Sequence, residues 1–220
     1  MQDVINAIKS NATTKFVKKR TILLYQGEIP RAGYILSKGV IKAYNINANG
    51  DEQLATFHVA GDVFPDYWLF GRTSNTLYYY EALTDCVVLA ASKTVLQSGV
   101  AADPSNMQTL FDYVMGNYAG ALMRITALEQ SRAREKILFT LYYLLSRYGK
   151  ESSPGKFSVK LGLTHTIIAD MVGLTRETTA YELGMLKKVG IVKYSAKEYL
   201  IDKSKLEKLL GEDSFRGVGL

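Results

Sequence analysis

The run from Leu163 to Val192, LTHTIIADMVGLTRETTAYELGMLKKVGIV, restricts the possible folds of this chain more than any other stretch. It reads as two short helices and a tight turn. Thr164 offers a hydroxyl to cap the first helix, whose apolar side is Ile168, Ala169, Met171 and Val172. Gly173 tolerates the left-handed backbone that a sharp reversal needs. Thr175 caps a second helix from Arg176 to about Val189. Leu183 and Leu186 turn inward, and Gly190 stops the helix. A glycine at the turn, a small residue four before it and capped polar residues just after it make a helix-turn-helix. Such a motif sets the exposed start of its second helix into a DNA major groove. The exposed turn Thr175-Arg176-Glu177-Thr178 mixes phosphate-type and base-type side chains, since Arg can chelate guanine O6 and N7 and Glu can accept from cytosine N4. The following IVKYSAKEYLI reads as a two-stranded wing carrying Lys193 and Lys197.

Charge follows the same division. The chain carries a formal net charge of +6 over 220 residues. From Glu129 onward there are 16 Lys and Arg against 11 Asp and Glu; before it, 11 against 10. The excess therefore sits with the helix-turn-helix, where it offsets phosphate repulsion and speeds encounter with DNA. Length suffices for two modest domains. No apolar run approaches the ~20 residues that span a bilayer, and the first 20 residues lack the apolar centre of a secretory signal. A cytoplasmic protein without membrane association is expected. Cys86 stands alone, so neither a disulfide framework nor a cysteine metal cluster is available.

Residues from about Thr14 to Ser92 read as β structure, with short apolar runs punctuated by glycine turns: TILLYQGE, GYILSKGVIKAYNI, EQLATFHVAGDVF, LYYYEAL and CVVLAAS. Asn49-Gly50 is a hairpin signal, because both residues accept positive φ. Many short strands at this spacing imply an antiparallel barrel or jelly roll.

From Pro104 to about Leu128 a single long helix is expected. Met107, Phe111, Val114, Tyr118, Ala121, Ile125 and Leu128 alternate at spacings of four and three. That is the seam of a two-stranded coiled coil, so a homodimer is expected. Leu110, Met115 and Leu122 form a second stripe able to pack on the β domain. Gly116 and Gly120 weaken the helix but let a partner helix approach. The polar run Glu129 to Arg134 reads as a hinge, followed by an amphipathic helix with Ile137, Leu138, Leu141, Leu144 and Leu145 inward. The stretch KESSPGK then reads as a turn and FSVKL as a short strand.

The run Leu163 to Leu186 resembles the helix-turn-helix of the CRP/FNR family of bacterial transcription regulators. Upstream, Gln26-Gly27-Glu28, Tyr34-Ile35-Leu36, Gly39-Val40-Ile41-Lys42 and Gly61-Asp62 resemble the cyclic-nucleotide-binding β-roll that is that family's sensor domain. The resemblance implies that Arg176 and Glu177 read bases and that Thr166, Thr175, Thr178 and Ser195 contact phosphates. Lys197, in the wing, joins them as a phosphate contact. Tyr181 stands where the family's catabolite-activator branch has a further base-reading Arg, so a different operator is implied. The long helix would be the family's dimer helix, and RNA polymerase a partner.

One departure is informative. Family members that bind cyclic nucleotides carry Gly-Glu-Leu and, farther on, Arg-Ser/Thr-Ala, with the Arg on the cyclic phosphate and the Glu on the ribose. Here those places read Pro65-Asp66-Tyr67 and Thr76-Leu77-Tyr78. No arginine stands at the phosphate position, Pro65 has no backbone donor, and Arg72 has the wrong offset. A buried phosphate needs a charged partner, so a cyclic nucleotide is not the expected effector. The neighbourhood is instead aromatic. Phe64, Asp66, Tyr67, Thr76, Tyr78 and, from the long helix, Leu122 are the candidates for contacting a small effector of another kind. Rings of this sort also simply fill β cores. His58 and Cys86 are the only candidates for axial haem ligands, each on an expected strand, where packing is the commoner role. No cluster of His and carboxylates, no nucleophilic triad and no phosphate-cradling glycine loop is present, so no metal, cofactor or enzymatic activity is expected.

The resulting expectation is an α+β chain. Residues 1–103 form an antiparallel β-roll, 104–128 a long dimerisation helix, and 129–220 a winged helix-turn-helix domain. Its function would be sequence-specific DNA binding under control of a non-nucleotide effector. The alternatives are a ligand-independent regulator with the β-roll as scaffold, and a cyclic-nucleotide-responsive regulatory module.

Overall fold

A computed structural model describes residues 8–71, 73–195 and 198–211. The chain divides into two compact units, the first ending at Val114 and the second beginning at Met115.

The first unit contains β1 (Thr13–Val17), β2 (Ile22–Leu24), β3 (Gly33–Lys38), β4 (Ile41–Ile46), β5 (Glu52–His58), β6 (Val63–Phe64), α1 (Asp66–Phe70), β7 (Tyr79–Ala82), β8 (Cys86–Ala91), α2 (Lys93–Ala101) and the start of α3 (Pro104–Glu129). Its strands form two antiparallel sheets of order β1-β8-β3-β6 and β2-β7-β4-β5, the expected β-roll. Strand alternation builds the core. Leu36, Phe64 and Val88 of the first sheet meet Leu24, Ile41, Ala43, Tyr80 and Ala82 of the second. Their neighbours Ile35, Val63 and Leu89 point to the opposite face, which Trp68 and Leu69 of α1 and Leu96 of α2 cover. Each such fully buried aliphatic side chain contributes roughly 1.5–3 kcal/mol.

One helix, α1, interrupts the stretch from Thr14 to Ser92 read as β structure, and α2 follows directly after that stretch. Asp66–Phe70 is helical because Trp68 and Leu69 are needed on the outer sheet face, and a short helix delivers adjacent residues there as a strand cannot. Ser92 starts α2, its Oγ accepting from the Val95 N–H. The β4–β5 hairpin forms where expected, but its turn is wider than a two-residue reversal. Asn47 Oδ1 accepts from the N–H groups of Asn49 and Asp51, both at 2.9 Å, and only Gly50 of the Asn-Gly pair has positive φ.

The second unit holds the rest of α3, then α4 (Ala133–Tyr148), β9 (Lys150–Ser153), β10 (Lys156–Val159), α5 (His165–Val172), α6 (Arg176–Lys188), β11 (Val192–Tyr194), β12 (Tyr199–Asp202) and α7 (Lys203–Leu210). The strands form one antiparallel sheet, β11-β12-β10-β9. Helix α4 packs against α5, α6 and α7. It buries Ile137, Leu138, Leu141, Leu144 and Leu145 in a core that also holds Ile168, Val172, Leu183, Leu186, Val192, Ile201 and Leu206. The expected polar break falls between Glu129 and Ala133, where Arg132 is extended (φ −100°, ψ 138°). The segment read as a plain turn, KESSPGK, supplies β9, whose four residues are all exposed. Backbone pairing with β10, rather than burial, makes it a strand.

Helix α3 keeps all seven seam residues exposed, among them Phe111 at 59%, Tyr118 at 57% and Ile125 at 51%. The second stripe is divided. Leu110 is buried beside Val100, whereas Met115 and Leu122 are 44% and 45% exposed and adjoin the seam in sequence. Gly120 faces its own chain: a Cβ there would lie 3.4 Å from Tyr143 Cε2.

Gly39 joins β3 to β4 at φ +102°, and an added Cβ would stand 2.7 Å from the Asp85 carbonyl oxygen and 2.5 Å from Cys86 Sγ. Backbone on one side and forbidden φ on the other leave no easy relaxation. Gly39→Ala is therefore expected to lower stability by about 1–3 kcal/mol, measured by urea unfolding, with a smaller loss from Gly50→Asn at the exposed hairpin turn, where an added Cβ meets nothing and Asn tolerates positive φ.

Candidate nucleic-acid interface

The helix-turn-helix owes its form to the polar groups at its helix ends. The first turn of a helix leaves N–H groups without helical acceptors. At α5 the Thr164 hydroxyl takes the Ile167 N–H at 3.1 Å. At α6 the Thr175 hydroxyl takes the Thr178 N–H at 3.1 Å and donates to Thr178 Oγ1 at 2.9 Å. Between them Gly173 adopts φ +64°, and the N–H of Leu174 closes onto the Ala169 carbonyl at 3.2 Å. At the far end Gly190 (φ +74°) ends α6, with Ile191 N–H on the Leu186 carbonyl at 3.0 Å. Ile168, Ala169, Met171 and Val172 are buried, as are Leu183 and Leu186.

That packing turns the opposite face of α6 to solvent. Arg176 and Glu177 are exposed, their charged ends 3.8 Å apart, and Tyr181 is 66% exposed one turn later. Thr166, Thr175 and Ser195 are exposed, and Thr178 is partly covered. The three residues Arg176, Glu177 and Tyr181 thus stand together on the exposed side of α6, and the expected hydroxyls of Thr166, Thr175 and Ser195 are on exposed residues. Lys197 and Arg72 lie outside the described residues. Glu177 in the first turn of α6 and Lys187 and Lys188 in its last complement the helix dipole.

The wing is fastened by an aromatic contact that the sequence reading missed. Tyr194 of β11 stacks on Tyr199 of β12 with ring centroids 5.2 Å apart. His165, at the start of α5, meets the Tyr194 ring edge-on at 5.1 Å. Lys187 Nζ lies 5.1 Å from the centre of the same ring. Burial, and secondarily the charge of Arg176, holds the His165 pKa below its ordinary value. An aromatic in the wing and a histidine opening the helix were the available signal.

In the β-roll, the expected effector residues are largely engaged with other residues of the same unit. Phe64 is fully buried and stacks on Tyr80 (5.2 Å, 15°) and Tyr34 (5.4 Å, 22°), with His58 tilted against it at 5.1 Å. Tyr67 accepts from the Leu77 N–H at 2.6 Å and from the Tyr80 hydroxyl at 3.2 Å. Burial raises the pKa of both phenols, keeping them neutral. Thr76 is buried, its hydroxyl donating to the Tyr25 carbonyl. Asp66 Oδ1 accepts from the Tyr67 N–H at 2.8 Å, and Tyr78 is partly buried against the core. Leu122 belongs to the other unit. Cys86 is buried, its thiol donating to the carbonyls of Val40 and Thr84, and desolvation raises its pKa. Among the described residues, no three His, Cys, Asp or Glu side chains are grouped to hold a metal ion. No helix there is long and apolar enough to cross a membrane.

The comparisons with known proteins divide along the same boundary. Residues 14–103 match the cyclic nucleotide-binding domain, and residues 135–209 match the Crp-like helix-turn-helix domain. The fumarate nitrate reduction regulatory protein of Klebsiella oxytoca is 28% identical over 193 residues, 87% of this chain and 76% of that protein. FixK2 of Bradyrhizobium japonicum has the same fold, with a TM-score of 0.73 at 23% identity, covering 91% of this chain and 98% of that one. A CRP/FNR-family transcriptional regulator of Thermus thermophilus gives 0.66 at 23%, covering 90% and 98%. With both domains present in order and a capped, exposed recognition helix in the second, this chain belongs to the CRP/FNR family of DNA-binding transcription regulators.

Proposed function

We propose that two copies of this chain pair along the seam Met107, Phe111, Val114, Tyr118, Ala121, Ile125 and Leu128 and read a near-palindromic DNA site. The exposed apolar row on α3 carries this reading. A soluble chain rarely leaves so continuous an apolar stripe in water, and its 3-4 alternation suits a two-stranded coiled coil. A two-fold axis on that seam would set two recognition helices in successive major grooves roughly 34 Å apart. Arg176, Glu177 and Tyr181 read base edges; Thr166, Thr175, Thr178, Ser195 and Lys197 contact the phosphate backbone. A regulator of this kind works in the cytoplasm, beside the chromosome, and acts on RNA polymerase.

The β-roll takes a small effector other than a cyclic nucleotide, sensed around Phe64, Asp66, Tyr67, Thr76 and Tyr78. The absence of an arginine at the phosphate position supports this. A second reading, in which the β-roll is a scaffold and no effector binds, draws on the stacked rings of Tyr34, Phe64 and Tyr80 within the core. Both readings expect cyclic AMP at millimolar concentration to leave the melting temperature unchanged. Binding at a hundred times Kd would stabilise the fold by about 2.7 kcal/mol and raise it visibly. A metabolite mixture that raises it decides for the effector.

Arg176→Ala is expected to cost about 1–3 kcal/mol on the selected operator and to relax preference at one base pair. Titration against specific and random duplexes checks this, and equal losses on both would remove Arg176 from base reading. Phe111→Asp combined with Ile125→Asp is expected to yield folded monomers in sedimentation equilibrium. A surviving dimer would place the interface elsewhere.

A further inference from the structure

Helix α3 has two faces in the second unit. Ala121, Ile125 and Leu128 are exposed, while Met123, Arg124 and Ala127 are buried. A cation on the buried face calls for an explanation. Only 7% of Arg124 is exposed. Its guanidinium donates to the Met171 carbonyl at 2.6 Å and lies 5.7 Å from the centre of the Tyr143 ring. Met171 sits in the last turn of α5, where carbonyls lack helical partners and carry the negative end of the helix dipole. A cation placed there makes a charge-assisted hydrogen bond. Nearby, the Asn117 side-chain carbonyl accepts from Arg147 at 2.7 Å, and Gly120 lets Tyr143 approach α3. Arg124 thus touches α4 through a ring and α5 through its C-terminal carbonyl.

Burying a guanidinium is a costly way to fill space, because an apolar side chain of like volume avoids the desolvation. What the arginine adds is direction. The hydrogen bond holds the end of α5, and with it the Gly173 turn and the Thr175 cap that launch α6, at a fixed place on α3. Every one of these groups lies within the second unit.

We propose that Arg124 is a positioning residue for DNA recognition: by fastening α5 to α3 it sets the recognition helix relative to the seam, and so the half-site spacing that the dimer accepts. This rests on the dimer reading above. Without the hydrogen bond each helix-turn-helix still folds and still recognises a half-site, but its direction relative to the partner's becomes loose.

The test uses the full chain and a set of duplexes carrying two selected half-sites at stepped separations, with a single half-site as control. The wild type is expected to show a narrow maximum. Arg124→Met, similar in length and apolar, is expected to lose about tenfold at the preferred spacing, to bind the single half-site unchanged, and to show a broadened profile. Arg124→Lys, which keeps the cation but not the planar fork, is expected to fall between them. An unchanged profile in Arg124→Met overturns the proposal, as does an equal loss on single and paired half-sites. Should the methionine variant not fold, a wild-type profile from Arg124→Lys overturns it too. Sedimentation of the wild type separates the two ideas: a monomer defeats the dimer reading before any spacing is compared.

Discussion

A 26-residue helix with an uninterrupted apolar edge in water is the constraint from which the functional architecture follows. The other side of the helix is already committed. Leu110 packs on Val100 in the first unit, and Met123, Arg124 and Ala127 are buried in the second. At roughly 25 cal/mol per Å², covering Phe111, Tyr118, Ile125 and their neighbours with a second copy is the simplest way to remove the exposed surface. Met115 and Leu122 widen the same stripe. The helix that would hold two copies together is also the one against which the DNA-binding elements are built.

The recognition element rests on short-range chemistry. Two threonine hydroxyls satisfy the first-turn N–H groups of α5 and α6, and one glycine takes the left-handed conformation between them. Each cap contributes on the order of 1 kcal/mol. Their larger effect is geometric, since they fix where α6 begins and hence which residues face outward. Leu183 and Leu186 anchor the inner face, leaving Arg176, Glu177 and Tyr181 outside. The aromatic bracket of His165, Tyr194 and Tyr199 then holds the wing beside them.

Features decided by neighbouring residues were legible in the sequence. Thr164, Gly173, Thr175 and Gly190 announced the helix ends because capping and positive φ are local. The seam announced itself through periodicity. What failed depended on partners distant in sequence. Periodicity gave the faces of α3, but not what covers them, so Gly120 was assigned to a partner helix although Tyr143 of its own chain lies over it. Asp66–Phe70 fell between the runs read as strands, and the need to cover the outer sheet face makes it helical. The all-polar β9 has no alternation to read, since its pairing with β10 defines it. Phe64 and Thr76 were legible as members of the effector region, yet sequence could not say that their surfaces are spent on Tyr34, Tyr80 and Tyr25. Arg124 left one readable trace, a charge set among the apolar residues Met123, Ile125 and Ala127.

The central claim is that two copies present the Arg176 to Tyr181 face to one side of duplex DNA, one helical turn apart. Hydroxyl-radical footprinting on a site selected from random sequence tests it directly. The account predicts two protected patches of backbone on the same face of the duplex, centred about 10–10.5 base pairs apart, with symmetric strand offsets. A single patch, or protection without that periodicity, would contradict it.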